Sequence, residues 1–294
     1  MSRKLSFEHV DVFSKKPFRG NQLAVFRNPG RLSPQRMLSI AREINFSETV
    51  FIFPSKLEDA DAKVRIFTPS EELPFAGHPV LGAADVILRH RKGRKPSELV
   101  LELRSGMIKV DIIKKGNSKL FSMNQPVPEF GTAVQNRGQV ARGLGLKRYE
   151  ILGGGVVSNG LSFLMIEVEG EEIVSRAKLN LEQASNVISR HGVCGIYLFA
   201  RINEGGENIR ARFFAPGLSV WEDPATGSAA GAMGGYLARL LKFPNKLSLK
   251  VRQGIEMGRP SEIKVFVRCE RGMVKSVSVT GSVVLVGKGT LQVP

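Results

Sequence analysis

Apolar and polar residues alternate along many short stretches of this chain, the period-two signature of half-buried strands. The pattern predicts strands over 5–13, 23–26, 50–53, 63–67, 99–103 and 107–113 in the first half. In the second half it predicts them over 163–168, 196–199, 209–214, 247–251, 263–267, 274–279 and 283–286. Four segments carry helical spacing instead. The one over 34–44 follows Ser33, a good N-cap, and has Pro34 at its first position. The one over 181–190 follows Asn180, a second good cap. The other two, 79–88 and 228–241, are apolar on most sides apart from Asp85 and Arg239, and a helix apolar all round is a buried one. Gly231, Gly234 and Gly235 within the last read as close helix–sheet packing, and Gly153-Gly154-Gly155 reads as a loop.

These elements come twice, half of the 294-residue chain apart. Each half runs capped helix, apolar strand, an Arg-X-Phe-X-Pro strand, a polar turn, an apolar helix, then more strands. The Arg-X-Phe-X-Pro strands are Arg65-Ile66-Phe67-Thr68-Pro69 and Arg212-Phe213-Phe214-Ala215-Pro216. They lead to Gly77-His78-Pro79 and to Gly227-Ser228, each opening a buried helix. The repetition argues for two domains of one fold, each with sheet wrapped about a central helix. The Pro-rich segment Asn124-Gln125-Pro126-Val127-Pro128 is the expected linker.

Composition narrows the function classes. No apolar run is long enough to span a membrane, and Met1 to Glu8 has no apolar signal-peptide region, so a cytoplasmic protein is expected. Two cysteines, Cys194 and Cys269, fit a reducing compartment and no disulfide framework. The net charge of +16 permits attraction to nucleic acid, anionic lipid or acidic metabolites. Its densest run, Arg89-His90-Arg91-Lys92-Gly93-Arg94-Lys95, reads as a solvated helix C-terminus stopped by Gly93. The linear sequence shows none of the aromatic interleaving of single-strand binders.

Candidate chemistry gathers at the repeated turns. A helix start with free N–H groups, at Gly77 and again at Gly227 and Ser228, favours a carboxylate or an enolate. Two such starts facing one another would form a pocket for a small anionic metabolite. Thr226 and Ser228 are also competent N-caps, and His78 reads either as a structural hydrogen-bonder or as a group that orients or protonates substrate. Asp223 reads as an Asx turn ahead of Pro224 or as a site carboxylate. Glu48 enters the apolar strand Val50-Phe51-Ile52-Phe53, where partial loss of water suits a general base. Aligning the halves sets Glu48 opposite Cys194-Gly195, so the second half offers no matching acid. The four histidines show no metal-ligand spacing, and there is no phosphate loop, dinucleotide fingerprint or nucleophile elbow; neither metal nor cofactor is expected.

Longer motifs then carry a resemblance. They are Val10-Asp11-Val12-Phe13, Gly20-Asn21-Gln22-Leu23-Ala24-Val25, Ser47-Glu48-Thr49 and Glu72-Leu73-Pro74-Phe75-Ala76-Gly77-His78-Pro79. They continue with Phe214-Ala215-Pro216, Glu222-Asp223-Pro224-Ala225-Thr226-Gly227-Ser228-Ala229 and Gln253-Gly254 through Met257-Gly258-Arg259-Pro260. In this order they make the chain similar, nearly end to end, to the phenazine-biosynthesis-like PhzF family of isomerases within the diaminopimelate-epimerase-like fold. The resemblance implies an α+β protein of two similar domains, each a curved, mostly antiparallel sheet or barrel wrapped around a central helix. The expected domains are 1–126 with a returning strand at about 282–294, and 127–281, with the active site in the cleft between them. It implies Glu48 as acid/base, His78 and Asp223 as orienting groups, and Gly77, Gly227 and Ser228 as substrate-binding groups. It further implies a dihydro-hydroxyanthranilate-type substrate, no cofactor and a homodimer. Related epimerases use a cysteine pair where this chain has Ala76-Gly77 and Thr226-Gly227, and the family often has Pro where this chain has Gln22.

The leading expectation is therefore a cofactor-independent isomerase that shifts a proton beside a carboxylate, with Glu48 as base. One alternative is an epimerase of a small carboxylate pairing Glu48 with Asp223 or His78. Another is a basic nucleic-acid-binding protein with a vestigial cleft.

Overall fold

A computed structural model describes residues 3–93, 95–116, 118–202, 205–216 and 220–293. Met1 and Ser2 of the amino-terminal stretch and Arg94 of the basic run lie outside them. The described chain divides into two units: Met1–Met123 with Thr280–Pro294, and Asn124–Val279.

Unit 1 contains β1 (Arg3–Val12), β2 (Asn21–Arg27), α1 (Pro34–Ile44), β3 (Glu48–Phe53), β4 (Ala62–Phe67) and β5 (Glu72–Leu73). It continues with α2 (Gly77–His90), β6 (Glu98–Leu103), β7 (Gly106–Lys115) and most of β8 (Ser118–Gln125). Unit 2 contains β9 (Glu129–Ala133), α3 (Arg137–Gly143), β10 (Ile151–Ser158), β11 (Ser162–Val168), α4 (Glu171–Arg176) and α5 (Leu181–His191). It ends with β12 (Gly195–Arg201), β13 (Asn208–Ala215), β14 (Val220–Asp223), α6 (Gly227–Leu240), β15 (Lys246–Gln253), β16 (Ser261–Glu270) and β17 (Met273–Gly281). The last strand, β18 (Val283–Val293), returns to unit 1 and pairs antiparallel with the whole of β1.

The strand pairings repeat between the units. β2 runs parallel to β3 as β11 does to β12, and β4 parallel to β6 as β13 does to β15. Antiparallel ladders repeat as well: β3 with β4 as β12 with β13, and β6 with β7 as β15 with β16. In unit 1 the sheet curves around α2, which touches β1, β2, β3, β4, β6, β7 and β18. In unit 2, α6 is touched by β10, β11, β15 and β16. Both helices are buried along almost their whole length, which explains their composition: no face meets water, so no face is polar. Gly82 lets α2 approach the sheet, since a Cβ there would meet the end of Leu23 at 2.4 Å.

The other helices cover the outer faces. α1 buries Met37, Ile40 and Ala41 among Leu5, Phe26, Phe51 and Phe67. Ser33 caps it as expected, its Oγ accepting from the Arg36 N–H, and Asn180 caps α5 in the same way through Gln183 N–H. Three expectations need correction. Gly153-Gly154-Gly155 is strand, within β10, and a Cβ on Gly154 would lie 2.4 Å from the Met165 carbonyl on β11. Asn124 and Gln125 are the end of β8 rather than linker. α2 ends at His90, before Gly93, and its basic residues are tied inward: Arg89 and His90 reach Glu8, and Arg91 reaches Asp61.

One interaction occurs in both units at the same place. Arg65 on β4 donates from Nε and Nη2 to the two carboxylate oxygens of Glu72, at 2.7 Å each. Arg212 on β13 does the same to Glu222, at 2.8 Å each. Each guanidinium also lies over the Phe two residues on, Arg65 over Phe67 and Arg212 over Phe214. Arg212 is the more buried, and its Nη1 donates to the carbonyls of Val174, Ser175 and Ala177 around the end of α4. Removing a buried partner strands the other charge, a loss of about 3–5 kcal/mol. Arg212→Met is thus expected to lower the unfolding free energy by about that much, and Arg65→Met by clearly less, in urea titrations followed by circular dichroism. Equal and small losses for both would contradict this account.

Candidate functional site

Glu48 is the first residue of β3, just past the αL residue Asn45 that closes α1. Its β2 partner is Leu23, whose end packs on α2 at Gly82, so the position belongs to the helix-facing row of the sheet. Its side chain is 16% exposed: desolvated in part and still reachable. His78, in the first turn of α2, lies beside it, with Nε2 3.3 Å from Oε2.

His78 is buried, and burial pushes its pKa down to about 3, a backbone hydrogen bond with Gln22 offsetting part of the effect. The ring is therefore neutral at physiological pH. Its Nδ1 lies 3.3 Å from Asn21 Nδ2 at the start of β2. A neutral imidazole beside the carboxylate adds no charge to the site. Gly77 is buried beside it as the first residue of α2, and the N-cap, Ala76, has no side chain to offer the first turn.

The helix start of unit 2 is built from different residues. Thr226 is the N-cap of α6, yet its side chain does not cap; Oγ1 donates to Asp223 Oδ2 at 2.5 Å. This corrects the reading of Thr226 as a capping residue. Gln253, 0% exposed, organises the turn: Nε2 donates to the Asp223 carbonyl at 2.8 Å and to Thr226 Oγ1 at 3.0 Å. Its Oε1 accepts from Thr226 N–H and Tyr197 Oη. Next to it, Gly254 has φ +75°, and a Cβ there would lie 2.5 Å from the Pro224 carbonyl. Gln125 Nε2 donates to the Gly227 carbonyl, and Asn159 Nδ2 donates to both Gln125 Oε1 and the Ser228 carbonyl. Gly231 leaves room for Gln125, whose Oε1 would lie 1.8 Å from a Cβ there.

The structure thus groups Glu48, His78 and Gly77 in unit 1, and Asp223, Gly227 and Ser228 in unit 2. Sequence reasoning named these six and missed the residues that hold them: Asn21, Gln125, Asn159 and Gln253. Only Asn21 and Gln253 carried a signal, by lying within the long motifs. The counterpart of Glu48 in unit 2 is Gly195, first in β12 as Glu48 is first in β3. A Cβ at Gly195 would lie 2.6 Å from the Phe213 ring and from the Phe214 carbonyl, so no acid fits there. Cys194 and Cys269 take no part in either group. Burial pushes the Cys194 thiol up to about 12, and burial raises Cys269 too. Cys194 is half-buried, its Sγ donating to the Ser162 carbonyl. Among the described residues no three His, Cys, Asp or Glu side chains converge to hold a metal ion, and no helix is long and apolar enough to cross a membrane.

Comparison with known proteins agrees with the geometry. A family model described as phenazine biosynthesis-like protein matches residues 10–289. The chain is 33% identical over 300 residues to an uncharacterised isomerase of Clostridium acetobutylicum, covering 99% of each chain. It is 33% identical to a trans-2,3-dihydro-3-hydroxyanthranilate isomerase of Pseudomonas fluorescens, over 96% of this chain and 97% of that one. The crystal structure of a PhzF-family phenazine biosynthesis protein from Bacillus anthracis has the same fold, with a TM-score of 0.89 at 24% identity, covering 98% and 99% of the two chains.

The depressed His78 pKa carries a stability signature. Between about pH 6.5 and 3 the unfolded chain takes up a proton on His78 that the folded chain refuses. Stability from this group is complete above pH 6.5 and falls as the pH is lowered through that window, by at most about 1.4 kcal/mol per pH unit. The free-energy gap between wild type and His78→Gln, from urea titrations at several pH values, is expected to shift against wild type on acidification. A gap constant across this range would refute the buried, neutral state.

Proposed function

The chain belongs to the phenazine biosynthesis-like family and is an isomerase, and we propose that it moves a proton beside a carboxylate of a small metabolite, with Glu48 as general acid/base. The Glu48–His78 pair carries this reading: a partly desolvated carboxylate 3.3 Å from a neutral imidazole. Glu48 takes a proton from the carbon next to the carboxylate or in conjugation with it. The electron pair moves into an enolate-like system, and the acid so formed returns the proton to a different carbon. The double bond migrates and no net charge is gained. His78 and Asp223 hydrogen-bond and orient the substrate; Gly77, Gly227 and Ser228 hold its carboxylate and other polar groups. Nothing is oxidised or reduced, so the step requires no redox cofactor.

Gly195 favours a single-base shift over a two-base epimerisation. An epimerase needs a second proton carrier; the repeat has a glycine where the first unit has its acid, His78 is held neutral, and the Asp223 carboxylate is engaged by Thr226. The Pseudomonas fluorescens relative's name makes a dihydro-hydroxyanthranilate the first substrate to try.

Proton NMR in D2O on that compound, and on a panel of unsaturated carboxylates, tests the proposal. Wild type is expected to migrate the double bond with deuterium incorporation, and Glu48→Gln to slow it by about 10²–10⁴-fold. Full activity in Glu48→Gln would remove Glu48 from the mechanism. Inertness of the wild type towards every compound would remove the substrate class.

A further inference from the structure

The two outer strands of unit 2 that follow α6 carry a surface the isomerase reaction does not use. β15 and β16 pair antiparallel, and their alternate residues Leu249, Val251, Val265 and Val267 are buried, with Gly234 of α6 in contact with several of them. The opposite row faces solvent. Along it Lys246 stands across from Arg268, Ser248 from Phe266, and Lys250 from Lys264, with Arg252 next on β15. Two directly opposed like-charge pairs are unfavourable in a sheet with no ligand. Phe266 lies between them, 44% exposed.

Glu262 and Glu270 answer part of the charge, pairing with Lys250 at 3.0 Å and Arg268 at 2.8 Å, and Glu171 answers Arg252 at 3.2 Å. The balance stays positive. The repeat supplies an internal control. The corresponding strands of unit 1, β6 and β7, have Glu98 across from Asp111, with Glu102 and Lys109 on the same face. The fold therefore does not require cations at these positions, nor an aromatic ring among them.

We propose that the solvent face of β15–β16 binds single-stranded nucleic acid, with Phe266 stacking on a base and the flanking Lys246, Arg268, Lys250 and Lys264 meeting phosphates. Same-face residues along a strand are about 7 Å apart, an interval an extended phosphodiester chain can follow. Stacking on an exposed ring needs an unpaired base, which selects single strands over duplex. A second copy of this chain is a poor occupant, because the face would meet its own charge. This activity is separate from proton transfer, and none of its residues belongs to the Glu48 or Asp223 groups.

Fluorescence anisotropy with a labelled oligothymidylate, and with a duplex of equal length, tests the proposal on the whole chain. Wild type is expected to prefer the single strand and to weaken steeply with salt. Lys264→Glu should weaken binding roughly tenfold and reduce the salt slope by about one. Phe266→Ser should weaken it roughly tenfold with the slope intact. Lys109→Glu, on the matching face of unit 1, should stay within about twofold of wild type, a local contact being worth more than distant screened charge. Circular dichroism and unchanged isomerase turnover would show that the variants are folded. The proposal is overturned if wild type does not bind, or if Lys109→Glu weakens binding as much as Lys264→Glu. It is equally overturned if the duplex binds as tightly with Phe266→Ser silent, or if Phe266→Ser turns a wild-type dimer into monomers.

Discussion

Each central helix starts where it does because an arginine on the preceding strand grips the turn that feeds it. The Arg65–Glu72 and Arg212–Glu222 forks are the same contact made twice. A planar guanidinium that donates two parallel hydrogen bonds fixes direction as well as distance, which a lysine cannot do. The grip fixes the short strands β5 and β14, and from them the chain has only a few residues in which to reach Gly77 or Gly227. Those residues set where the N–H groups of the buried helix point. Every group assigned to the chemistry is placed by this arrangement or by a strand beside it.

A repeated scaffold does not mean a repeated site. The fork, the turn proline and the helix glycine are common to both units: Glu72, Pro74 and Gly77 in one, Glu222, Pro224 and Gly227 in the other. The variable positions have diverged into two roles. Unit 1 has Glu48 and His78, a carboxylate and a neutral imidazole 3.3 Å apart. Unit 2 has Gly195 and Ser228 in their places and adds Asp223 and Thr226, bonded to each other and fixed by Gln253. The carboxylate–imidazole pair belongs to unit 1, and the hydrogen-bonded frame around Asp223 belongs to unit 2. Closing the Gly195 position with the Phe213 ring keeps a second acid out by packing, without any charge being spent on the task.

What was legible in the sequence was local or long. Ser33 and Asn180 located two helices because a cap acts within one turn, and α2 and α6 stood out because burial on all sides removes polar residues from every face. The short helices α3 and α4 went unseen: Gly138 and Gly143 dilute the first, and six residues are too few to show a period in the second. β10 went unseen because three glycines imitate a loop, whereas Gly154 is there to let Met165 approach. Glu48, His78 and Asp223 were found through motifs. Gln125 and Asn159 were not, because each acts by donating to a carbonyl far along the chain, and such a bond leaves no pattern around the residue itself.

Surface charge follows the opposite logic to the site. In β15 and β16 the inner row of Leu249, Val251, Val265 and Val267 is held by packing. The outer row is fixed by nothing in the fold, as the acidic β6–β7 face of the sister unit demonstrates. The sequence reading passed over Phe266, which lies two residues from Lys264 and two from Arg268 on its own strand. Pairing the strands adds Lys246 and Lys250, diagonal to Phe266 on either side of Ser248. The net charge of +16 is thus less informative than its register. A charge spread evenly over a surface does no more than keep a protein soluble, whereas like charges set directly opposite each other around an exposed ring repel, and Glu262 and Glu270 answer only part of that repulsion. Such a cost is sustained most simply by an anion that relieves it.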